Sequence, residues 1–244
     1  MPSNVTIDRQ LILRGDAIYD HNLLGPLQEK KRHDSDRFTG IALDTTNRWA
    51  TSVPGSSDTI AISEVQGGSA LITTGTVDDN SCMLASAIVY SGTKKVIVEF
   101  RVTITDVSGT GVFVGLSDAK SESNNSIAIH YPADSLTTVA TNAAGFVIDA
   151  DHATSSIMCA SVIADSDTTP VDTGVDWTDG QTRRLRILLD GTQAIFAIDG
   201  NVVASISTAI TAATLLCATV QAITRDNDGA NTVRVHSYDA WQDD

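Results

Sequence analysis

Aromatic residues are scarce in this chain. Phe, Tyr and Trp make up 5% of its 244 residues, and only three are Trp. A core with so few rings must be filled by Val, Ile, Ala and Thr, which suit strands packed face to face. Basic residues are also few: 16 Lys and Arg stand against 30 Asp and Glu, for a formal charge of −14. Such a surface repels phosphate backbones and anionic headgroups, which argues against nucleic acid and membrane partners. No apolar run reaches the length that spans a bilayer. Asp8, Arg9, Arg14 and Asp16 interrupt the N-terminal apolar residues, so nothing there reads as a signal peptide, and synthesis in a cytoplasm is expected. Cysteine is limited to Cys82, Cys159 and Cys217, an odd number without metal-ligand spacing, which reads as buried, reduced thiols.

Catalytic patterns are missing as well. There is no G-x-S-x-G elbow and no P-loop. Gly109, Gly111 and Gly115 have the wrong spacing for a dinucleotide turn and read as a hairpin entering a strand. The five histidines (His21, His33, His130, His152 and His236) are scattered. Asp149 and Asp151, beside His152, form the single D-x-D on an expected strand. Its two readings are an acid pair or metal site, and a solvated strand end, of which the second is favoured.

What the chain does have is alternation. In KVIVEFRVTITD (95–106), Val96, Val98, Phe100, Val102 and Ile104 share one face, with Glu99, Arg101, Thr103 and Thr105 opposite. That is a long antiparallel strand with one wet face. Further strands are expected at 59–64, 70–74, 83–90, 111–117, 126–130, 145–149, 157–164, 184–189, 193–198, 202–206, 215–224 and 232–238. Asp190-Gly191 and Asp199-Gly200-Asn201 read as tight hairpin turns, and the Ser/Asp-rich stretches 117–125 and 165–174 as loops. A dozen or more strands without an amphipathic helix imply an all-β, two-sheet antiparallel sandwich.

The first 40 residues differ. Six basic and six acidic residues cancel there, so residues 41–244 carry the whole net charge. Ile7, Leu11, Ile12, Leu13, Ile18, Tyr19, Leu23, Leu24 and Leu27 are spread among those charges, and Gly15, Gly25 and Pro26 prevent one long helix. The expected organisation is an extended, partly helical N-terminal arm (1–40) and a sandwich domain (41–244). The nine apolar arm residues are the candidate contacts to a larger assembly or to a sister subunit.

RLRILLDGTQAIFAIDGNVVASI (184–206) resembles the strand–DG–strand–DG–strand meander of concanavalin A-like, laminin G-like jelly rolls. VEFRVTI (98–104) is similar to their long central strand, FVGLSDA (113–119) to the next strand and its loop, and VRVHSYDAWQDD (233–244) to the closing strand that returns beside the N-terminal one. AGFVIDAD (144–151), a loop, TGVDWTDGQTRRLRI and the closing strand occur in an order similar to that in tailed-phage structural proteins. The resemblance covers residues 41–244. It implies a jelly-roll fold and a non-enzymatic virion protein decorating or cementing a capsid, with the major capsid protein as partner. The arm lies outside the resemblance; one arm alone would bind only modestly, so a homo-oligomer such as a trimer is expected, because several weak arms bind tightly together. The alternative the resemblance leaves open is a carbohydrate-binding, lectin-like tail, fibre or neck protein.

Glycoside hydrolases on this sandwich carry two or three carboxylates at alternating positions of one strand. Here Glu99 is followed by Arg101 and Thr103, so that pattern is absent. No cofactor is expected. DNDG (226–229) has the start of a calcium loop without its closing acid, which makes Asp226 and Asp228 candidate ligands of a structural Ca²⁺ or members of a plain Asx turn. Trp177 and Trp241 are the candidate sugar-stacking residues. The competing reading of each is a cover over the core.

Overall fold

The computed structural model describes residues 31–243 except 56, 64, 122, 124, 155 and 226–229. The strands in chain order begin with β1 (Lys31–Asp36), β2 (Ala50–Ser52), β3 (Thr59–Ser63), β4 (Ser69–Thr73), β5 (Ser81–Ala85) and β6 (Val96–Ile104). They continue with β7 (Thr110–Ser117), β8 (Ile129–His130), β9 (Thr137–Thr138), β10 (Ala143–Asp149), β11 (Ser156–Ile163) and β12 (Ser166–Asp167). The final six are β13 (Val171–Asp176), β14 (Thr182–Asp190), β15 (Gln193–Ile198), β16 (Asn201–Ile206), β17 (Cys217–Thr224) and β18 (Thr232–Asp243).

They form two eight-stranded antiparallel sheets packed as a sandwich. Sheet I runs β16-β15-β14-β6-β18-β4-β3, with β1 also on β18. Sheet II runs β12-β11-β10-β7-β17-β5-β2, with β13 also on β11. In β6 burial alternates along the strand as the apolar pattern requires. Val98, Phe100 and Val102 meet Val114, Phe146 and Val220 of sheet II in one core that also holds Trp49, Trp177 and Tyr238. The Asp-Gly turns sit where expected, with positive φ at Gly191, Asp199 and Gly200.

The two outer faces are treated differently. Every residue of β7 and β17 is buried, because the chain between β7 and β10 folds back over sheet II. Ile127, Ala128, Ile129 and Ala140 from that segment pack on Phe113, Val147, Met158 and Ile223 as a second apolar cluster. The Phe113 ring lies over the cross-strand pair Gly115 and Gly145, where an added Cβ at Gly145 would come within 2.4 Å of Phe113 Cε2. Among the described residues, none folds over the polar outer face of sheet I.

Two segments depart from expectation. The stretch 165–174, expected to be a loop, contributes β12 and part of β13, short polar edge strands held by backbone pairing to β11. Lys31–Asp36, within the 1–40 segment, is a strand pairing with Tyr238–Asp243. Its sequence KRHDSD has no apolar alternation to announce a strand.

The last strand contains a β-bulge. Val235 faces Val102, but Ser237 faces Arg101, so His236 is the extra residue. The bulge inverts the inside–outside parity of the remaining part of β18. Tyr238 and Ala240 turn into the core, while Asp239 and Trp241 turn outward with His236 and Ser237.

Candidate functional site

The outer face of sheet I carries a groove of about 330 Å³. Its floor is made by three adjacent strands, β14, β6 and β18, and Gln66, Gly67 and Gly68 of the β3–β4 turn form a wall. Register sorts the floor into rows. One row is Arg184, Arg101 and Ser237, and the next is Arg186, Glu99 and Asp239. Arg37, just past β1, closes the second row.

The second row neutralises itself. Arg186 reaches Glu99 through Nε and Nη2, both at 2.7 Å. Arg37 clasps Asp239 in a fork, with Nη1 to Oδ2 at 2.7 Å and Nη2 to Oδ1 at 3.1 Å. The first row does not neutralise itself. Arg101 and Arg184 face each other across β6 and β14, and neither forms an ion pair with a described carboxylate. Nearby Asp199 binds Arg183 at 2.9 Å and accepts the backbone N–H of Arg184 at 2.9 Å. The Nε2 of His236 lies 2.8 Å from Thr103 Oγ1, and Thr103 Oγ1 lies 2.7 Å from Thr182 Oγ1.

The structure separates the two tryptophans. Trp177 is 1% exposed, with Nε1 donating to the Gln181 carbonyl at 3.0 Å, and it belongs to the core between the sheets. It presents no ring to solvent, because the turn into β14 directs it inward. Trp241 lines the groove, but it is 4% exposed and stacked on His33 with ring centroids 5.1 Å apart. Asp226, Asp228 and the nine apolar arm residues Ile7, Leu11, Ile12, Leu13, Ile18, Tyr19, Leu23, Leu24 and Leu27 lie outside the described residues. Among the described residues, no group of three or more His, Cys, Asp and Glu has metal-binding geometry. The three cysteines are free and buried, and burial pushes the Cys82 and Cys217 thiols up to about 12.

Asp149 corrects the expectation of a solvated strand end. Its side chain is fully buried and held by Arg225, Nε to Oδ1 at 2.9 Å and Nη2 to Oδ2 at 2.7 Å. Arg225 also reaches Asp79 at 2.6 Å and His130 Nδ1 at 3.1 Å. This cluster lies at the end of sheet II, away from the groove residues, and it reads as a structural tie between β10, β17 and the turn before β5.

The buried His130 and the half-buried His236 imidazoles are both held below the ordinary histidine value. Burial is the first cause for each. Arg225 adds to it at His130, against an opposing pull from Asp149 and Asp79, and Arg101 and Arg234 add to it at His236. The unfolded chain protonates these rings near pH 6.5 and the folded chain only at lower pH, so in that window the unfolded state binds more protons. Stability is expected to rise with pH across the window and to be lost as pH falls below about 6.5. Urea midpoints measured on either side of that pH check this, with His130→Gln flattening the slope. A higher midpoint on the acid side contradicts it.

No protein-family model matches the sequence, and no curated protein does. Solved structures do match. A Bacillus licheniformis β-glucanase aligns with a TM-score of 0.59 at 9% identity, covering 87% of this chain and 98% of that one. The Emp47p carbohydrate recognition domain aligns with a TM-score of 0.58 at 13% identity, covering 88% and 98%. The fold is a concanavalin A-like jelly roll. A sialidase aligns at 0.57 and 13% identity over 85% of this chain, which spans only 18% of the sialidase's length. These neighbours are carbohydrate-binding or glycan-active proteins, and at such identities the likeness is one of fold.

The groove arginines were missed by sequence reading. Arg101 was visible as an outward residue of β6, but its position opposite Arg184 depends on pairing between strands some 80 residues apart. Paired outward arginines on two long alternating strands were the available signal.

Proposed function

We propose that this jelly roll is a carbohydrate-binding module that does not hydrolyse its ligand, with the groove on sheet I as the sugar site. The observation that carries the reading is the convergence of Gln66, Arg101, Arg184 and His236 with the Glu99 and Asp239 ion pairs on one open face of three central strands. Strand-borne polar groups keep fixed positions, and fixed hydrogen-bonding groups are what orient a polyhydroxylated ligand. The Emp47p neighbour, a carbohydrate recognition domain, supports the same reading.

Binding without hydrolysis follows from what the carboxylates are doing. A glycosidase of the usual kind needs one carboxyl to donate a proton and a second to act as base or nucleophile. Glu99 and Asp239 stand opposite each other on β6 and β18, but each is engaged by a guanidinium. The tailed-phage resemblance supplies the proposed setting, a virion surface. There the residues ahead of β1, 1–30, would attach an oligomer of the module to the major capsid protein or to a neck, tail or fibre.

A glycan array probed with the full-length chain, with a parallel assay for new reducing ends, tests the proposal. The expected result is retention of a defined set of glycans and no release of reducing ends. Retention of none overturns the binding reading. Turnover overturns the non-catalytic part and returns Glu99 and Asp239 to candidacy.

A further inference from the structure

We infer that the sugar site on sheet I is built for an acidic saccharide, one bearing carboxylate or sulfate groups, and that Arg101 and Arg184 are the residues that receive the anion. The inference rests on the glycan-binding reading and names its ligand class.

Charge is unevenly distributed over the molecule. The chain carries 16 basic residues against 30 acidic ones, yet four of the 16, Arg37, Arg101, Arg184 and Arg186, line this single groove. Two of the four are spent on Glu99 and Asp239. The other two, Arg101 and Arg184, pair with no described carboxylate, and they are cross-strand neighbours.

Like charges directly opposite each other on a sheet are destabilising, and long cationic side chains are usually relieved by an acid on the next strand. In this chain acids outnumber bases almost two to one, and none of the described ones sits on Arg101 or Arg184. The next strand offers Ser237 instead, turned outward by the bulge at His236. Asp199 is the nearest acid on the other side, and it is engaged by Arg183 and by the Arg184 backbone. Among the described residues the pair thus has no carboxylate partner, which suits it to receive an external anion. Two guanidiniums presenting forked N–H donors from adjacent strands match the oxygens of a planar carboxylate or of a sulfate. His236, next to the pair, is disfavoured in its protonated form by burial and by Arg101 and Arg234, which agrees with a positive local field.

The negative charge of the rest of the chain gives the site selectivity. At physiological ionic strength fields fade within roughly 8 Å, so the groove attracts an anion at contact distance while the surrounding surface repels extended polyanions. A saccharide that places one acidic group in the groove suits this pattern better than a nucleic acid does.

The experiment uses the full-length chain and four probes: an oligosaccharide bearing a single uronate, one bearing a single sulfate, a neutral β-glucan oligosaccharide and a single-stranded oligonucleotide. Arg101→Gln, Arg184→Gln and the double variant are measured beside the parent. The expected result is that one or both acidic saccharides bind more tightly than the neutral one, and that each single substitution weakens that binding by about 10- to 100-fold, as for loss of a charged hydrogen bond. Thermal unfolding of the variants is expected to match or exceed that of the parent, because the cross-strand repulsion is relieved. That readout separates loss of a ligand contact from loss of fold. Tight binding of the neutral glucan, unaffected by either substitution, overturns the acidic preference and leaves the glycan-binding reading standing. Binding of no saccharide overturns both. Oligonucleotide binding as tight as that of the acidic saccharides overturns the assignment to a sugar.

Discussion

Replacing Arg225 with Met is expected to cost about 3–5 kcal/mol of stability, the range found when one partner of a buried ion pair is removed. The side chains of Arg225 and Asp149 are 3% and 0% exposed. Asp149 also accepts the backbone N–H groups of Tyr131 at 2.8 Å and Asp151 at 3.2 Å. Those two bonds fix the carboxylate in place and do not neutralise it. Without the guanidinium, Asp149, Asp151 and Asp79 face one another with no cation among them. Met fills the volume of the Arg stem and leaves the charge problem intact, so the loss is electrostatic. The double variant Arg225→Met, Asp149→Leu is expected to regain most of it, since removing both partners also removes the penalty for burying either. Urea unfolding midpoints of the two variants decide the matter. A single variant within about 0.5 kcal/mol of the parent would show the tie to be incidental.

Trp177→Ala should be comparably damaging, at about 3–5 kcal/mol for a fully buried indole. Trp177 is among the largest side chains in the core, lying just before β14, and its indole N–H closes the turn onto the Gln181 carbonyl. Truncation leaves a void between the sheets and an unpaired carbonyl. The expected pattern is a strongly lowered unfolding midpoint together with unchanged saccharide affinity, measured well below that midpoint. Lost affinity in a variant that keeps its stability would instead restore Trp177 as a ligand contact. Arg101→Gln is its opposite, expected to lower binding without lowering stability.

Legibility of the fold in the sequence tracks how local its causes are. β6, β14, β15 and β16 were readable almost residue for residue, because alternation and Asp-Gly turns are written within a few positions of each other. Alternation places the end of β18 at 238, whereas the jelly-roll resemblance carries the closing strand over 233–244, and the strand runs to Asp243. The bulge at His236 breaks the two-residue period there, and a periodicity argument ends where the period does. β1 and β13 were invisible because edge strands are specified by a neighbour's backbone as much as by their own side chains. The site was less legible than the fold. Tryptophans stand out in a sequence because their usual role as sugar platforms is tied to residue type. The groove arginines acquire meaning only when β6 and β14 are laid side by side. Asp149 was read as solvated for the same reason, since Arg225 lies 76 positions away.

The place of β18 within sheet I has a consequence for biosynthesis. This strand sits between β6 on one edge and β4 and β1 on the other. Until it arrives, the sheet exists only as a four-strand piece, a hairpin and a loose ribbon, each with an unpaired edge. A nascent chain therefore cannot complete the sandwich while it is still being translated through residue 232. Assembly of sheet I waits for β18, and its rate is governed by long-range closure more than by local propensity. The exposed edges of β6 and β4 are the surfaces a chaperone would shield in the interval, and a premature stop codon ahead of β18 would leave them open for good.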